Sequence, residues 1–268
     1  MQFRQKALSK LQSPEELDLP VRLARPQGRL VLAVTVVVMA AATFWAFTGS
    51  VHAKLNAPGV LTRAEGSYLL QSPFAGQITA VRAEEGRTVA AGAPLLTVRT
   101  PQGDRDVRAI DGGRVTTLLA KTGLVVTTGA DVATVERVKD PDDPLVAMLY
   151  VPGGSGATIP VGAQVDLGVP SAPRQRYGVL RGRVKAVGRV PQTPAQISGF
   201  LGDRSLAEEF ARDGDPVAVL VQLERSTATR SGYRWSKADG PPYAVDSTTP
   251  VTATVHLAAE RPVDWLLP

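Results

Sequence analysis

Leu69–Arg99, LLQSPFAGQITAVRAEEGRTVAAGAPLLTVR, and Asp106–Glu136, DVRAIDGGRVTTLLAKTGLVVTTGADVATVE, align without a gap at an offset of 37 residues. Gly76, Gly86 and Gly92 fall on Gly113, Gly123 and Gly129. With 25 glycines in 268 residues, three such coincidences arise about once in a thousand at a given offset. The apolar positions agree as well: Ile78 with Val115, Val81 with Leu118, Val89 with Val126, Val98 with Val135. Glycines between short apolar runs supply the positive φ of tight turns, so each copy reads as short strands. Two units that cannot each bury a core predict a sandwich in which the copies interlock face to face. They are joined by VRTPQGDRDVRA, residues 98–109, which reads as a tight turn around Pro101, Gly103 and Asp104 and contains no lysine.

On the N-terminal side, Leu30–Phe47 is LVLAVTVVVMAAATFWAF, and Thr48 and Gly49 extend the uncharged stretch to residue 49. At about 1.5 Å per residue it spans a roughly 30 Å hydrocarbon core. A secretory signal has a shorter apolar region and a small-residue cleavage site, and a soluble core helix is seldom uncharged all round over this length. The stretch therefore reads as an uncleaved transmembrane helix, with Phe44, Trp45 and Phe47 at a headgroup belt. Residues 1–29 carry Arg4, Lys6, Lys10, Arg22, Arg25 and Arg29 against Glu15, Glu16 and Asp18. By the positive-inside rule the N-terminus is cytoplasmic and the bulk extracytoplasmic. More than half of the chain's net +5 lies in this leader, so topology rather than nucleic-acid binding explains the basic balance.

Gly and Pro together make 46 of the 268 residues, which fits short, frequently punctuated elements and excludes collagen-like or long-helical chains. The absence of Cys removes disulfides, thiol catalysis and Cys-based zinc sites. Beyond the repeat, DPDDP at 140–144 reads as a linker, without the alternating oxygen ligands and glycine of a calcium loop. The segments LVAMLYVP, AQVDLGVPS, YGVLRGRVKAVGRV and PVAVLVQLE then predict a small antiparallel barrel. One soluble helix is expected at Ser205–Asp213, with a Ser205/Glu208 capping box and Gly214 at C′.

No catalytic, cofactor or metal site is expected. The loop at 151–158, VPGGSGAT, lacks the Gly-Lys-Ser/Thr of a phosphate cradle, and Ala157 replaces the last glycine of a hydrolase elbow. Only His52 and His256 could serve Ser155 as a base, so the loop reads as a hairpin turn. Two surfaces stand out as candidate partner contacts. Arg181, Arg183 and Lys185 alternate along a strand and project from one face, suited to an acidic neighbour. Residues 226–247 form a polar Gly/Pro-rich insert carrying Tyr233, Trp235 and Tyr243, types favoured as interface anchors.

The half-motif, with Pro73-x-x-Gly76, Val81, Glu85-Gly86, Val89 and Gly92 leading into a strand, resembles that of biotinyl/lipoyl domains. Those carry their cofactor on a lysine in the joining hairpin, which is missing here. Half-motifs preceded by a transmembrane helix and followed by a barrel resemble the HlyD-like membrane fusion (adaptor) proteins. That family usually separates the halves by a coiled-coil hairpin; its absence implies an adaptor that does not bridge a periplasm. The leader FRQKALSKLQSPEELDLPVRLARPQG and the terminal ERPVDWLLP resemble adaptors of NHLM/NHLP-type bacteriocin secretion systems.

The expectation is a mainly β chain in five parts. These are a cytoplasmic segment (1–29), a transmembrane helix (30–49), a membrane-proximal strand segment (50–68), a lipoyl-like barrel-sandwich hybrid (69–139), and a barrel with a membrane-proximal C-terminal segment (140–268). The resemblance implies that the last strand, near 252–257, packs with residues 57–62. It also implies a non-enzymatic, single-pass inner-membrane subunit that forms a ring-like oligomer on an ABC exporter, with or without a peptidase part, and meets exported peptide indirectly. The alternative is a membrane-anchored binding module for a cell-surface polymer or protein.

Overall fold

The computed structural model describes residues 26–138 and 143–260. The leader to residue 25, most of the 140–144 linker and the terminal segment from 261 lie outside them. Helix α1 (Pro26–Thr48) is long and apolar enough to cross a membrane. Its three threonines return their hydroxyls to the preceding turn, Thr35 to Val31 O (2.9 Å), Thr43 to Met39 O (2.8 Å) and Thr48 to Phe44 O (2.7 Å). The three threonine hydroxyls are thus satisfied within the helix itself.

The rest of the chain is mainly β. In order come β1 (Val51–Arg63), β2 (Ser67–Gln71), β3 (Gly76–Val81), β4 (Thr88–Val89), β5 (Pro94–Thr100), β6 (Gly103–Arg108), β7 (Gly113–Leu118), β8 (Val125–Val126) and β9 (Asp131–Arg137). There follow β10 (Leu145–Pro152), a 3-10 turn (Gly153–Thr158), β11 (Gln164–Gly168), the short helix α2 (Arg174–Tyr177) and β12 (Leu180–Val187). Helices α3 (Pro194–Leu201) and α4 (Arg204–Phe210) precede β13 (Pro216–Leu223) and β14 (Thr249–Glu260).

The repeat forms two four-stranded sheets, β2-β9-β7-β4 and β6-β5-β3-β8, around one core. The interlock is visible bond by bond. Gly86 N–H donates to Val115 O (2.7 Å) and Gly123 N–H to Ile78 O (2.8 Å); Gly92 N–H donates to Ala109 O and Gly129 N–H to Ser72 O, both at 2.8 Å. Adding 37 to each donor and subtracting 37 from each acceptor turns one bond of a pair into the other, which is a local two-fold relation. Each copy thus spends its turn glycines on the other copy's backbone. All four matched apolar pairs pack in or against the common core.

Six strands close the barrel in the order β1-β10-β13-β12-β11-β14. Within the segment 50–68, expected to be strand, residues 51–63 form a strand of this barrel. They neighbour β14, and Thr254 Oγ1 donates to Asn56 Oδ1 at 2.9 Å. Ala147, Leu149 and Val151 of β10 face the barrel core, while Met148 and Tyr150 pack under α3 and α4. Cover on both faces explains why LVAMLYV is continuously apolar rather than alternating.

The helical region corrects the sequence reading. There are two helices between β12 and β13, and Ser205 caps neither. Thr193 caps α3 in a capping box with Gln196, and Gly202 ends it at φ +68°. Asp203, extended at φ −141°, then accepts from Leu206 N–H at 3.0 Å and caps α4. Ser205 already lies in the first helical turn, where its backbone cannot take the extended cap conformation. Because α4 stops at Phe210, Gly214 closes a later turn onto Ala211 O. The segment 151–158 is also not a hairpin turn: Gly156 packs against Val217 and the chain winds into a 3-10 turn.

Tyr150 stacks on Phe210 (ring centroids 4.7 Å apart), and its buried hydroxyl has no hydrogen-bond partner. Burial pushes its pKa above the ordinary 10.0. Burial also raises that of Tyr68, against the lowering effect of its hydrogen bonds to the Asp111 and Ile110 backbone. A folded value above the unfolded one means the unfolded chain loses the proton first, so this stabilisation is intact below about pH 10 and is lost as pH rises through the folded value. Tyr150→Phe removes the orphan hydroxyl. It is expected to raise stability by about 1 kcal/mol and to flatten the alkaline fall in denaturation midpoints measured from pH 8 upward.

Candidate functional site

Arg181, Arg183 and Lys185 leave one face of β12, as alternation requires, while Gly182 and Val184 are buried. The two arginines do not project freely. Arg181 Nη1 is paired with Asp166 Oδ1 of β11, whose other oxygen meets His256 Nε2 at 3.0 Å. Arg183 Nε lies 3.0 Å from Glu224 Oε1, and Arg234 Nη1 lies 3.3 Å from Glu224 Oε2. Three arginines thus share two carboxylates, and Lys185, at the β12 bulge between Val184 and Ala186, forms no ion pair among the described residues. Four cationic side chains against two carboxylates leave the face a positive excess. Exposed pairs of this kind add little stability and orient the guanidinium groups instead.

The insert at 226–247 is not a free loop. Trp235, only 5% exposed, belongs to the barrel core, pairs with Leu180 through the backbone and donates Nε1–H to Ser231 Oγ at 2.9 Å. Tyr233 is half-buried, and its hydroxyl accepts from Leu145 N–H at 2.8 Å. Both anchors therefore face inward: the barrel needs a plug at this end, and burying an indole is worth more than exposing it. Tyr243 alone keeps its ring substantially open, 41% exposed, with its edge on Tyr177 and its hydroxyl donating to Ser171 O.

The six repeat glycines have two distinct roles. Gly86, Gly92, Gly123 and Gly129 have φ between +75° and +93°, as their turns require. Gly76 and Gly113 instead permit close approach: a Cβ would stand 2.0 Å from Arg99 O in one copy and 2.1 Å from Glu136 O in the other. The halves are joined by a two-residue turn, Pro101-Gln102, with Thr100 opposite Gly103.

Two features escaped sequence reasoning. One is an ion cluster linking barrel and sandwich. Glu136 of β9, 0% exposed, lies between Arg63 Nε of β1 (3.5 Å) and Arg114 Nη2 of β7 (3.4 Å), and Arg114 also donates to Ser247 Oγ (2.8 Å). The other is a surface asymmetry between the copies. Leu119, Leu124 and Val125 are 50%, 47% and 72% exposed, whereas the residues 37 positions earlier are Arg82, Arg87 and Thr88. The alignment that exposed the repeat contained this contrast, since symmetry-related positions share a backbone environment and differ only in side chain.

Ser155 lies on the 3-10 turn, and His256 is engaged by Asp166. Among the described residues no group of three His, Cys, Asp or Glu side chains could hold a metal ion.

No protein-family model matches the chain, and no curated protein sequence does. Among solved structures, this chain is similar to ZneB from Cupriavidus metallidurans, at 13% identity and a TM-score of 0.49, over 78% of this chain and 100% of that one. It is similar to MacA from Actinobacillus actinomycetemcomitans, at 9% identity and a TM-score of 0.48, over 80% of this chain and 81% of that one. It is also similar to the membrane fusion protein Spr0693 from Streptococcus pneumoniae R6, at 9% identity and a TM-score of 0.41, over 77% and 99% of the two chains.

Proposed function

We propose that this chain is the adaptor subunit of an ABC-type peptide export complex, anchored by α1 with its N-terminus cytoplasmic and its β body outside. The observation that carries the reading is the join between the repeat halves. They interlock around one core, yet the hairpin offers only Pro101 and Gln102 at its tip. A cofactor carrier needs a lysine there, so the sandwich serves as a structural body. With the barrel and a preceding membrane-length helix, this is the domain order of the HlyD-like adaptors that the half-motifs resemble.

The leader and the terminal ERPVDWLLP support the peptide-exporter subgroup. The tight turn leaves no arm to reach a second membrane, so the complex works at the outer face of the inner membrane. Several copies assemble as a collar around the exit, since heterologous contacts close into rings when the rotation permits. ATP hydrolysis and peptide processing belong to the exporter. The Arg181/Arg183 face suits an acidic exporter loop, with Tyr243 as the exposed aromatic of the insert.

The test is purification of the full-length chain from its native membrane in mild detergent, with mass spectrometry of co-purifying proteins and intact sizing. The expected result is an ABC exporter with several copies of this chain. A monomer without a transporter, under conditions that preserve other exporter complexes, overturns the reading in favour of an anchored binding module.

A further inference from the structure

The barrel register decides which loops share an end. Gly59 lies opposite Leu149, Val151 opposite Val217, Val187 opposite Val219, Gln164 opposite Arg183 and Val165 opposite Val255. One rim therefore collects the start of β1, the end of β10, the turn into β11, the segment after β12, the entry to β13 and the end of β14. In sequence, only Gly49 and Ser50 separate α1 from β1 at this rim.

The surface of that rim is unusual for water. Val161 is 69% exposed and Val190 72%, and both stand on backbone-tied turns rather than loose loops. Ala163 N–H donates to Pro160 O (3.1 Å) and Gly162 N–H to Val184 O (2.8 Å) around Val161. Gly188 N–H to Ala218 O and Gln192 N–H to Pro216 O, both 2.8 Å, clamp the segment carrying Val190. Exposed Pro152, Pro160 and Pro191 continue the apolar surface, and exposed Lys54, Lys185 and Arg189 surround it. Arg212, Asp213 and Asp215 also reach this rim, where basic side chains outnumber acidic ones. Rigid apolar points inside a cationic ring match the boundary between acyl chains and anionic headgroups.

We propose that this rim seats directly on the anionic headgroup surface of the bilayer that α1 crosses, with Val161 and Val190 at the acyl boundary and Lys54, Lys185 and Arg189 against lipid phosphates. The inference rests on α1 being transmembrane. A lipid surface fits better than a protein partner because two separated valines cover far less than the roughly 800 Å² per partner of a standard protein interface. A surface tethered by its own helix needs little intrinsic affinity, because the tether keeps its effective concentration high.

The chain has no cysteine, so a single introduced thiol reports one place. Full-length chains carrying Val37→Cys, Gln102→Cys, Val161→Cys or Val190→Cys are spin-labelled and reconstituted in vesicles of phosphatidylcholine with or without phosphatidylglycerol. Collision with oxygen is compared with collision with a water-soluble nickel chelate. In vesicles with phosphatidylglycerol, labels at 161 and 190 are expected to favour oxygen several-fold over the label at 102. The preference should collapse without the anionic lipid or with Lys185→Glu and Arg189→Glu in the same chain. Labels at 161 and 190 as aqueous as that at 102, while 37 reports lipid, overturn the inference and leave the anchor intact. So does an oxygen preference indifferent to lipid charge and to charge reversal. An aqueous label at 37 overturns the transmembrane reading itself.

Discussion

Gly113→Ala is expected to destabilise the chain by about 3 kcal/mol, and Gly76→Ala by at least as much. The added methyl at 113 would stand 2.1 Å from Glu136 O and 3.1 Å from Val135 Cγ1; at 76 it would stand 2.0 Å from Arg99 O and 3.0 Å from Val98 Cγ1. Those oxygens belong to β9 and β5, which pair with β7 and β3 on one side and β2 and β6 on the other. Relief by about 1 Å would shear a central strand against both neighbours, and close-packed interiors resist such movement. At position 76 a φ of +157° adds a backbone conformation that L-residues rarely adopt. Thermal melts of the purified chain should show a fall of about 10 °C. Gly199→Ala in α3 is the control: its Cβ meets nothing within 4 Å, and alanine should gain up to about 1 kcal/mol from helix propensity. Losses below 1 kcal/mol at both 76 and 113 would mean that the halves do not approach as closely as described.

Glu136→Ala is the second large effect, an expected loss of about 3–5 kcal/mol. The Glu136 carboxylate is fully enclosed, its Oε1 has no hydrogen-bond partner, and Oε2 faces Arg63 and Arg114. Its removal leaves two guanidinium groups confronting each other across the barrel–sandwich junction without a counter-charge. The desolvation already incurred is then uncompensated, which costs more than the pair was worth. Replacing both partners tests this directly, because Arg63→Met with Glu136→Met removes the enclosed pair and refills its volume. The double variant is expected to be more stable than either single one, with a coupling above about 1 kcal/mol in a denaturation cycle. Simple additivity would mean the cluster is not an electrostatic unit.

The two effects differ in how visible they are in the sequence. Gly76 and Gly113 stand out because the repeat places them at equivalent positions, and a glycine shared by both copies marks a backbone demand. Nothing around Glu136 marks it. Its partners lie 73 and 22 positions away along the chain, and a glutamate late in an apolar strand reads as the usual solvated end of that strand. The same holds for Trp235, whose polar, Gly/Pro-rich surroundings suggest exposure while the open end of the barrel takes up the indole. Thr193-Pro194-Ala195-Gln196 is as legible a capping box as Ser205-x-x-Glu208, and residue types alone do not rank the two. Only the extended backbone at Asp203, set by the left-handed Gly202 before it, decides which residue caps α4.

Residue order alone determined the short-range and periodic features: an uncharged helix of membrane length, a duplicated β unit with its turns at glycines, a hairpin without a lysine, and apolar barrel strands, some alternating and some continuous. Each follows from local backbone preference and solvent partition, which act over a few residues and repeat. Tertiary structure alone decided the two-fold exchange of hydrogen bonds between the copies, the enclosure of Glu136 between two arginines, the inward turn of Trp235 and the gathering of Val161 and Val190 on one rim. These join residues far apart in sequence, and which of them meet depends on strand register and barrel closure, quantities that no local stretch encodes.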